Sequence, residues 1–226
     1  EPVATASHQI SMNIAAVAFM IPLGLASAGA VRVGNAVGAG NPRGAAAAGW
    51  TVIAMGVMFM LVSGALFVLA PGFLIGAFTA DRMVLALGAS LLLVAAVFQL
   101  FDGMQGVATG ILRGLGDTRT PMLWNLFGHW FVGLPLGYTL CFALGYGVLG
   151  LWWGLSTGLI ICGVALVVVW MKRIHRLKTS GVEAAAIRAL SDAYPPDTTV
   201  YPGHGPATTL GAELARNPFL AELRAS

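Results

Sequence analysis

One acid stands out because its surroundings are wrong for it. Asp102 lies in VFQLFDGMQGVATGILRG, residues 97–114, where no other acid interrupts a long apolar run. A carboxylate in such surroundings is costly unless it is neutral, paired or facing a wet cavity. Gln99, Asp102, Gly106, Thr109 and Arg113 follow at three- and four-residue steps, which on a helix makes one polar stripe, with Gln105 at its edge. Such a stripe suits a structural carboxylate bonded to neighbouring helices, or a carboxylate that binds and releases a proton or a cation. The second reading is favoured. Gly106 and Gly110 form a G-x-x-x-G pair that lets helices approach closely.

Other polar groups are scattered through equally apolar sequence. His8, Gln9, Ser11 and Asn13 precede Pro22, and Asn125 and His129 lie one helical turn apart ahead of Pro135. His8 reads as a hydrogen-bonded packing residue rather than a metal ligand. Asn13, Pro22, Asn125 and His129 are candidate cavity-lining residues, because prolines within a span free backbone carbonyls and invite kinks. Kinks and uncharged polar groups around one acid describe a transporter or channel more readily than an enzyme.

A second chemistry is suggested by the C-terminal DTTVYPGHGPATTLGAELARNPFL, residues 197–220, where His204 occupies a Pro-Gly-His-Gly turn. A catalytic zinc site needs about three protein ligands plus an open water position. The remaining histidines, His8, His129 and His175, lie in or beside apolar runs, so His204 has no partners and no metal site is expected. Residues 183–192 read as a short amphipathic helix ended by Pro195-Pro196, residues 198–201 as a strand with no sheet to join, and Thr208 or Thr209 as the cap of a last helix.

The elements that must position Asp102 follow from composition. Hydrophobic residues make up 58% of the 226 and charged ones 9%, against roughly 25% charged in a typical soluble domain. Nine charges fall in residues 1–171 and twelve from Lys172 onward. A membrane domain over residues 1–174 and a cytoplasmic tail over 175–226 are expected. A bilayer-crossing helix needs about 20 apolar residues, which places five spans near 5–31, 47–70, 84–112, 122–143 and 149–171. They must be helices, because backbone groups in lipid have to be satisfied within the segment. The fold class is therefore all-α integral membrane, with a short α/β-like tail. The chain begins at Glu1 and turns apolar almost at once, reading as the interior of a longer protein.

Charge sets the orientation. Arg32, Arg43, Arg113, Arg119, Lys172, Arg173, Arg176 and Lys178 fall on one side of the five spans and Arg82 alone on the other. The positive-inside rule then puts the N-terminus outside and the C-terminus in the cytoplasm of a multi-pass inner (plasma) membrane protein. The net charge of +3 sits in short clusters between apolar runs and gives no nucleic-acid signal. Trp50, Trp124, Trp152, Trp153 and Trp170 fall near span ends, as interface anchors or as packing between helices. Cys141 and Cys162 read as buried thiols. The loops GAGNPR (38–43) and GLGDTR (114–119) echo each other as a helix-ending glycine, an Asx-type turn and an inside-facing cation. Neither follows a strand or continues to Lys-Ser/Thr, which excludes a phosphate-binding loop.

Three stretches carry a resemblance. ATASHQISMNIAAVAFMIPLGLASAGAVRVGNAVGAGNPRGAAAAG resembles the eighth helix and following loop of multidrug and toxic compound extrusion (MATE) transporters. FQLFDGMQGVATGILRGLGDTRTPM is similar to the tenth helix and its exit loop, and GLPLGYTLCFALGYGVLGLWWGLSTG to the last hairpin. Together they cover about residues 4–174, five helices of the family's six-helix C-terminal lobe. The resemblance implies an antiporter that exports cationic or amphipathic drugs and toxic compounds in exchange for Na+ or H+, with no other cofactor. It places Asp102 at the position of the C-lobe cation site of sodium-coupled members; Gln99, Gln105 and Thr109, beside it on the polar stripe, are taken as part of the same coupling site. It also implies partners that this chain lacks: the N-terminal lobe and the seventh helix, besides the lipid bilayer. Residues 190–220 resemble the C-terminal end of metallo-β-lactamase-fold hydrolases, including the glyoxalase II-like group, in which the position of His204 is a metal ligand. The family's H-x-H-x-D-H motif is absent, so the tail reads as a fusion or assembly fragment. The alternatives are then a chimera with no independent activity or a remnant of a metal-dependent hydrolase.

Overall fold

A computed structural model describes residues 2–200 and 207–216. The chain divides into two units, Glu1–Met171 and Lys172–Ser226. The first is built from α1 (Pro2–Gly38), α2 (Pro42–Leu69), the short α3 (Pro71–Gly76), α4 (Arg82–Gly114), α5 (Arg119–Ala143) and the start of α6 (Gly147–Ala193). Among the described residues five helices are long and apolar enough to cross a membrane: α1, α2, α4, α5 and Gly147–Thr179 of α6. The count of five stands, and each helix begins before its expected span. Caps set two of these starts. Asn41 accepts from the Gly44 amide at 2.8 Å ahead of Pro42, and Asp81 accepts from the amides of Met83 and Val84 at 2.8 and 3.3 Å.

The two echoing loops use one device. Gly40 and Gly116 adopt positive φ (63° and 79°) just past the ends of α1 and α4, a conformation that is cheap only without a Cβ. Asp117 then accepts from the Thr120 amide and hydroxyl at 3.0 and 2.8 Å, as Asn41 does from Gly44.

Helices α1, α2 and α4 pack as a trio around α4. Two buried serines of α1 tie it to carbonyls of α4: Ser7 Oγ donates to Val84 O and Ser11 Oγ to Gly88 O, both at 3.3 Å. The Gly110 face meets α1 so closely that a Cβ there would lie 2.3 Å from Ala26 O. A core of Phe67, Ile75, Leu91, Leu92 and Ala95 closes one end with Trp152 of α6. Trp152 and Trp170 are buried (4% and 0% exposed) and pack between helices rather than anchoring an interface, whereas Trp50 and Trp153 are exposed. Cys162 is buried; Cys141 is only half-buried.

Helix α5 departs from regular geometry. It opens into wide i→i+5 turns at Phe127–Gly133 and Thr139–Ala143, on either side of Leu134–Tyr138. Pro135 lacks an N–H and its ring crowds the carbonyl four residues back, so the preceding turn widens and Leu134 N donates to His129 O. By contrast α1 runs through Pro22 without a break. Between α5 and α6, Gly145 and Gly147 carry the turn at positive φ (73° and 59°).

In the second unit α6 continues to Ala193, so no separate helix begins at 183. The strand expected to stand alone does not. β1 (Thr199–Val200) pairs antiparallel with β2 (Thr208–Thr209), in register Thr199↔Thr209 and Val200↔Thr208. Leu210 N donates to Thr198 O at 2.9 Å, and Thr209 Oγ1 caps α7 (Leu210–Arg216) through the Ala212 amide at 3.2 Å. Thr208 and Thr209 supply the partner that the sequence pattern concealed. His204 lies outside the described residues.

Candidate cation-binding cavity

Helix α4 carries three polar side chains within two turns and sends each to a different neighbour. Gln99 is fully buried against α2, where its Nε2 donates to Ser63 Oγ at 2.8 Å; its Oε1 has no partner. Gln105 donates from Nε2 to Asn125 Oδ1 on α5. Asp102, between them, faces a half-open cavity of about 330 Å³ lined by α1, α4, α5 and α6. The three do not share one environment. Three residues turn a helix by about 300°, so Gln99 sits roughly 60° from Asp102, enough to reach α2 instead of the cavity.

The cavity walls are regular in sequence. His8, Met12, Ala15 and Phe19 present one face of α1 at i, i+4, i+7 and i+11. Trp152, Leu155, Ser156 and Leu159 do the same from α6, while Phe98 flanks Asp102 on α4 and His129 enters from α5. Asp102 is the sole acid among the lining residues, and none of them is Lys or Arg. A single carboxylate on largely apolar walls makes a field that favours a monovalent cation, since low-dielectric walls screen it less than water does.

Hydrogen bonds fix both histidines. Trp152 Nε1–H donates to His8 Nδ1 at 2.9 Å across 144 residues of sequence, with the rings edge to face (centroids 5.8 Å apart, 88°). Phe98 leans on the same indole at 5.9 Å. His129 Nδ1 lies 3.1 Å from Asn125 O, and since a carbonyl only accepts, Nδ1 is the donor. Asn125 is itself held by its Nδ2 donating to Pro121 O at 2.8 Å. Cys162 donates its S–H to Trp124 O at 3.0 Å, with Sγ 3.9 Å from His129 Nδ1. The widened turn of α5 begins at Phe127, two residues before His129.

Of the other sequence candidates, Asn125 lies in the α4–α5 seam behind His129 and not on the cavity wall. Thr109 is half-buried on α4, a turn beyond Gln105, and is not on the wall either. Asn13 is exposed on α1, accepting from Gln9 Nε2 at 3.3 Å, and Pro22 is buried within α1 away from the cavity. Arg113, the last member of the stripe, borders a separate recess with Ser27, Ala30 and Gly34. Sequence reasoning missed Trp152 as a cavity residue and gave His8 no part in one. The four-, three- and four-residue steps from His8 to Phe19 were the available signal.

Comparison with known proteins gives the family and the fold. Residues 1–139 match the MatE family. The multidrug resistance protein NorM of Burkholderia vietnamiensis is 49% identical over 187 residues, covering 80% of this chain and 39% of the relative. The probable multidrug resistance protein NorM of Pseudomonas aeruginosa is 40% identical over 217 residues, 92% of this chain and 44% of the relative. The chain thus spans about two fifths of the length of the curated relatives it matches. Among solved structures, the eukaryotic MATE transporter AtDTX14 superposes with a TM-score of 0.71 at 23% identity, over 80% of this chain and 41% of that one. An outward-facing multidrug resistance MATE family transporter gives 0.72 at 20% identity, over 78% and 40%. At these identities the structures speak for the fold alone. The hydrolase resemblance of the tail is not borne out: a match covering 92% of the chain runs past Met171 into the second unit.

Proposed function

Since the chain belongs to the MatE family, whose members are multi-pass transporters and not enzymes, we propose that it supplies most of one lobe of a cation-coupled multidrug exporter. Asp102 is the carboxylate on which the coupling ion and the exported cation alternate. The observation that carries this reading is the single acid on a largely apolar wall between four spans. When Na+ or H+ occupies Asp102, the cavity is neutral and holds an organic cation poorly. When the ion leaves, the uncompensated carboxylate attracts one. Exchange follows because both compete for the same charge.

Gln99, Gln105 and Thr109 support that role from α4. Gln105, through Asn125, holds α5 and so His129 beside the cavity, and Gln99 fixes α4 against α2. Alternating access needs a second half to rock against, and the proposed partner is an N-terminal lobe, for which the unmatched length of the relatives leaves room. In this reading the membrane domain ends near residue 174 and the tail from 175 is cytoplasmic. The N-terminus faces outward across the inner membrane, as the basic loops require. The test is transport by the full-length gene product in liposomes. Imposed Na+ and proton gradients are applied separately, and extrusion of a fluorescent organic cation is followed. Extrusion driven by either gradient and absent without one supports the proposal; extrusion indifferent to both overturns it.

A further inference from the structure

We propose that His8, held by Trp152, reads a hydrogen-bond acceptor on the organic cation that occupies the Asp102 cavity. This deepens the transport reading and rests on it. The argument begins with the tautomer. Because the indole N–H has no acceptor capacity and can only donate, His8 Nδ1 must offer its lone pair to it. The neutral ring then carries its proton on Nε2, and that N–H is the polar atom His8 has left for the cavity it lines. His129 is locked the other way: its Nδ1–H is spent on Asn125 O, which leaves Nε2 as an acceptor. The wall therefore offers three acceptors, Asp102, His129 Nε2 and the lone pairs of Ser156 Oγ, and one donor, His8 Nε2–H. Ser156 spends its hydroxyl proton on Trp152 O at 2.6 Å.

The chemical class of occupant follows. The carboxylate requires a positive charge, and the rings of Phe19, Phe98 and Trp152 favour a flat or delocalised cation over a compact hydrated one. His8 adds a preference for a carbonyl, ether or similar oxygen on that frame, because a donor left unmatched in an apolar enclosure costs free energy. Trp152 is a positioning residue: without its N–H, His8 is free to exchange tautomers and present an acceptor instead. The pair spans α1 and α6, so the donor is present only while these two helices keep their packing.

The test uses the full-length gene product, purified in detergent, and two matched probes. These are 3-acetyl-1-methylpyridinium and 3-ethyl-1-methylpyridinium, alike in charge and shape and differing in one carbonyl. Wild-type protein should bind the acetyl compound about two- to tenfold more tightly, the range of one neutral hydrogen bond. H8F should bring that ratio to about one, because neither probe then meets an N–H donor at this position. H8Q, which restores an N–H donor, should recover part of the preference, and W152F should reduce it with both histidines intact. Circular dichroism and gel filtration confirm that each variant is folded. A preference unchanged in folded H8F overturns the proposal. So does failure of wild-type protein to bind either probe, an outcome distinct from failure of gradient-driven export, which would strike the transport reading instead.

Discussion

The seam between α5 and α6 is where a single added methyl should be felt most. A Cβ on Gly158 would stand 2.2 Å from Gly128 O and 3.1 Å from Gly133 Cα, both backbone atoms that cannot rotate away. Real Cβ atoms essentially never approach within 3.0 Å, so G158A must part the two helices by at least about 0.8 Å. A gap of that size forfeits roughly a quarter to a half of each dispersion contact along the seam, and overpacking of this kind costs about 1–3 kcal/mol. In lipid that loss is not recovered by burial, because packing rather than hydrophobicity holds such helices together. Equilibrium unfolding by SDS in mixed micelles reads the difference. The control is G24A, whose Cβ would meet nothing within 4 Å and which should be neutral, or stabilising by up to about 1 kcal/mol. G158A should be destabilised by the stated amount, and a G158A protein as stable as wild type would refute the claim that these backbones touch.

Ser63→Ala strands the Gln99 Nε2, on an amide whose oxygen is already unpartnered, and should cost about 1 kcal/mol in the same assay; adding Gln99→Leu should recover most of it, because the pair is then replaced together. Gly116→Ala meets no atom within 4 Å, so its expected penalty of about 1–2 kcal/mol comes from positive φ alone, and Gly116→Asn should cost visibly less. Single cysteines at Ser180 and Thr79, in a background lacking Cys141 and Cys162, should react with an impermeant maleimide from the cytoplasm and from outside respectively; the reverse pattern would defeat the orientation drawn from the basic loops.

The spans were legible because hydropathy and loop charge are local properties that add along the chain. Asp102 was legible for the same reason, as one acid in a long apolar run. What escaped is what depends on a second helix. Gln99 and Asp102 share a stripe by spacing, yet an offset of about 60° places one on α2 and the other on the cavity. The His8–Trp152 bond joins residues 144 apart, and nothing in either neighbourhood announces it. The wide turns of α5 arise where Pro135 meets a glycine-lined neighbour, a three-dimensional circumstance that a proline in sequence shows only as a kink. The glycines at 150, 154 and 158 repeat every fourth residue and face Leu140, Gly137 and Gly128. That period was visible, while the Gly106–Gly110 pair drew attention instead. In the tail, Thr208 and Thr209 form a strand and Thr209 also caps the helix that follows; threonine suits both roles, and the strand that pairs with them is what the local pattern leaves open.

The most direct measurement is ion-driven export by the full-length gene product carrying Asp102→Asn, reconstituted beside wild type at matched density. Asparagine keeps the side chain's size and removes its charge, so the helices around the cavity stay as they are. Extrusion of a fluorescent organic cation should fall to the level of protein-free liposomes under both Na+ and proton gradients, with membrane insertion and unfolding midpoint unchanged. Export by Asp102→Asn at the wild-type rate would contradict the assignment of Asp102 as the site where ion and drug alternate.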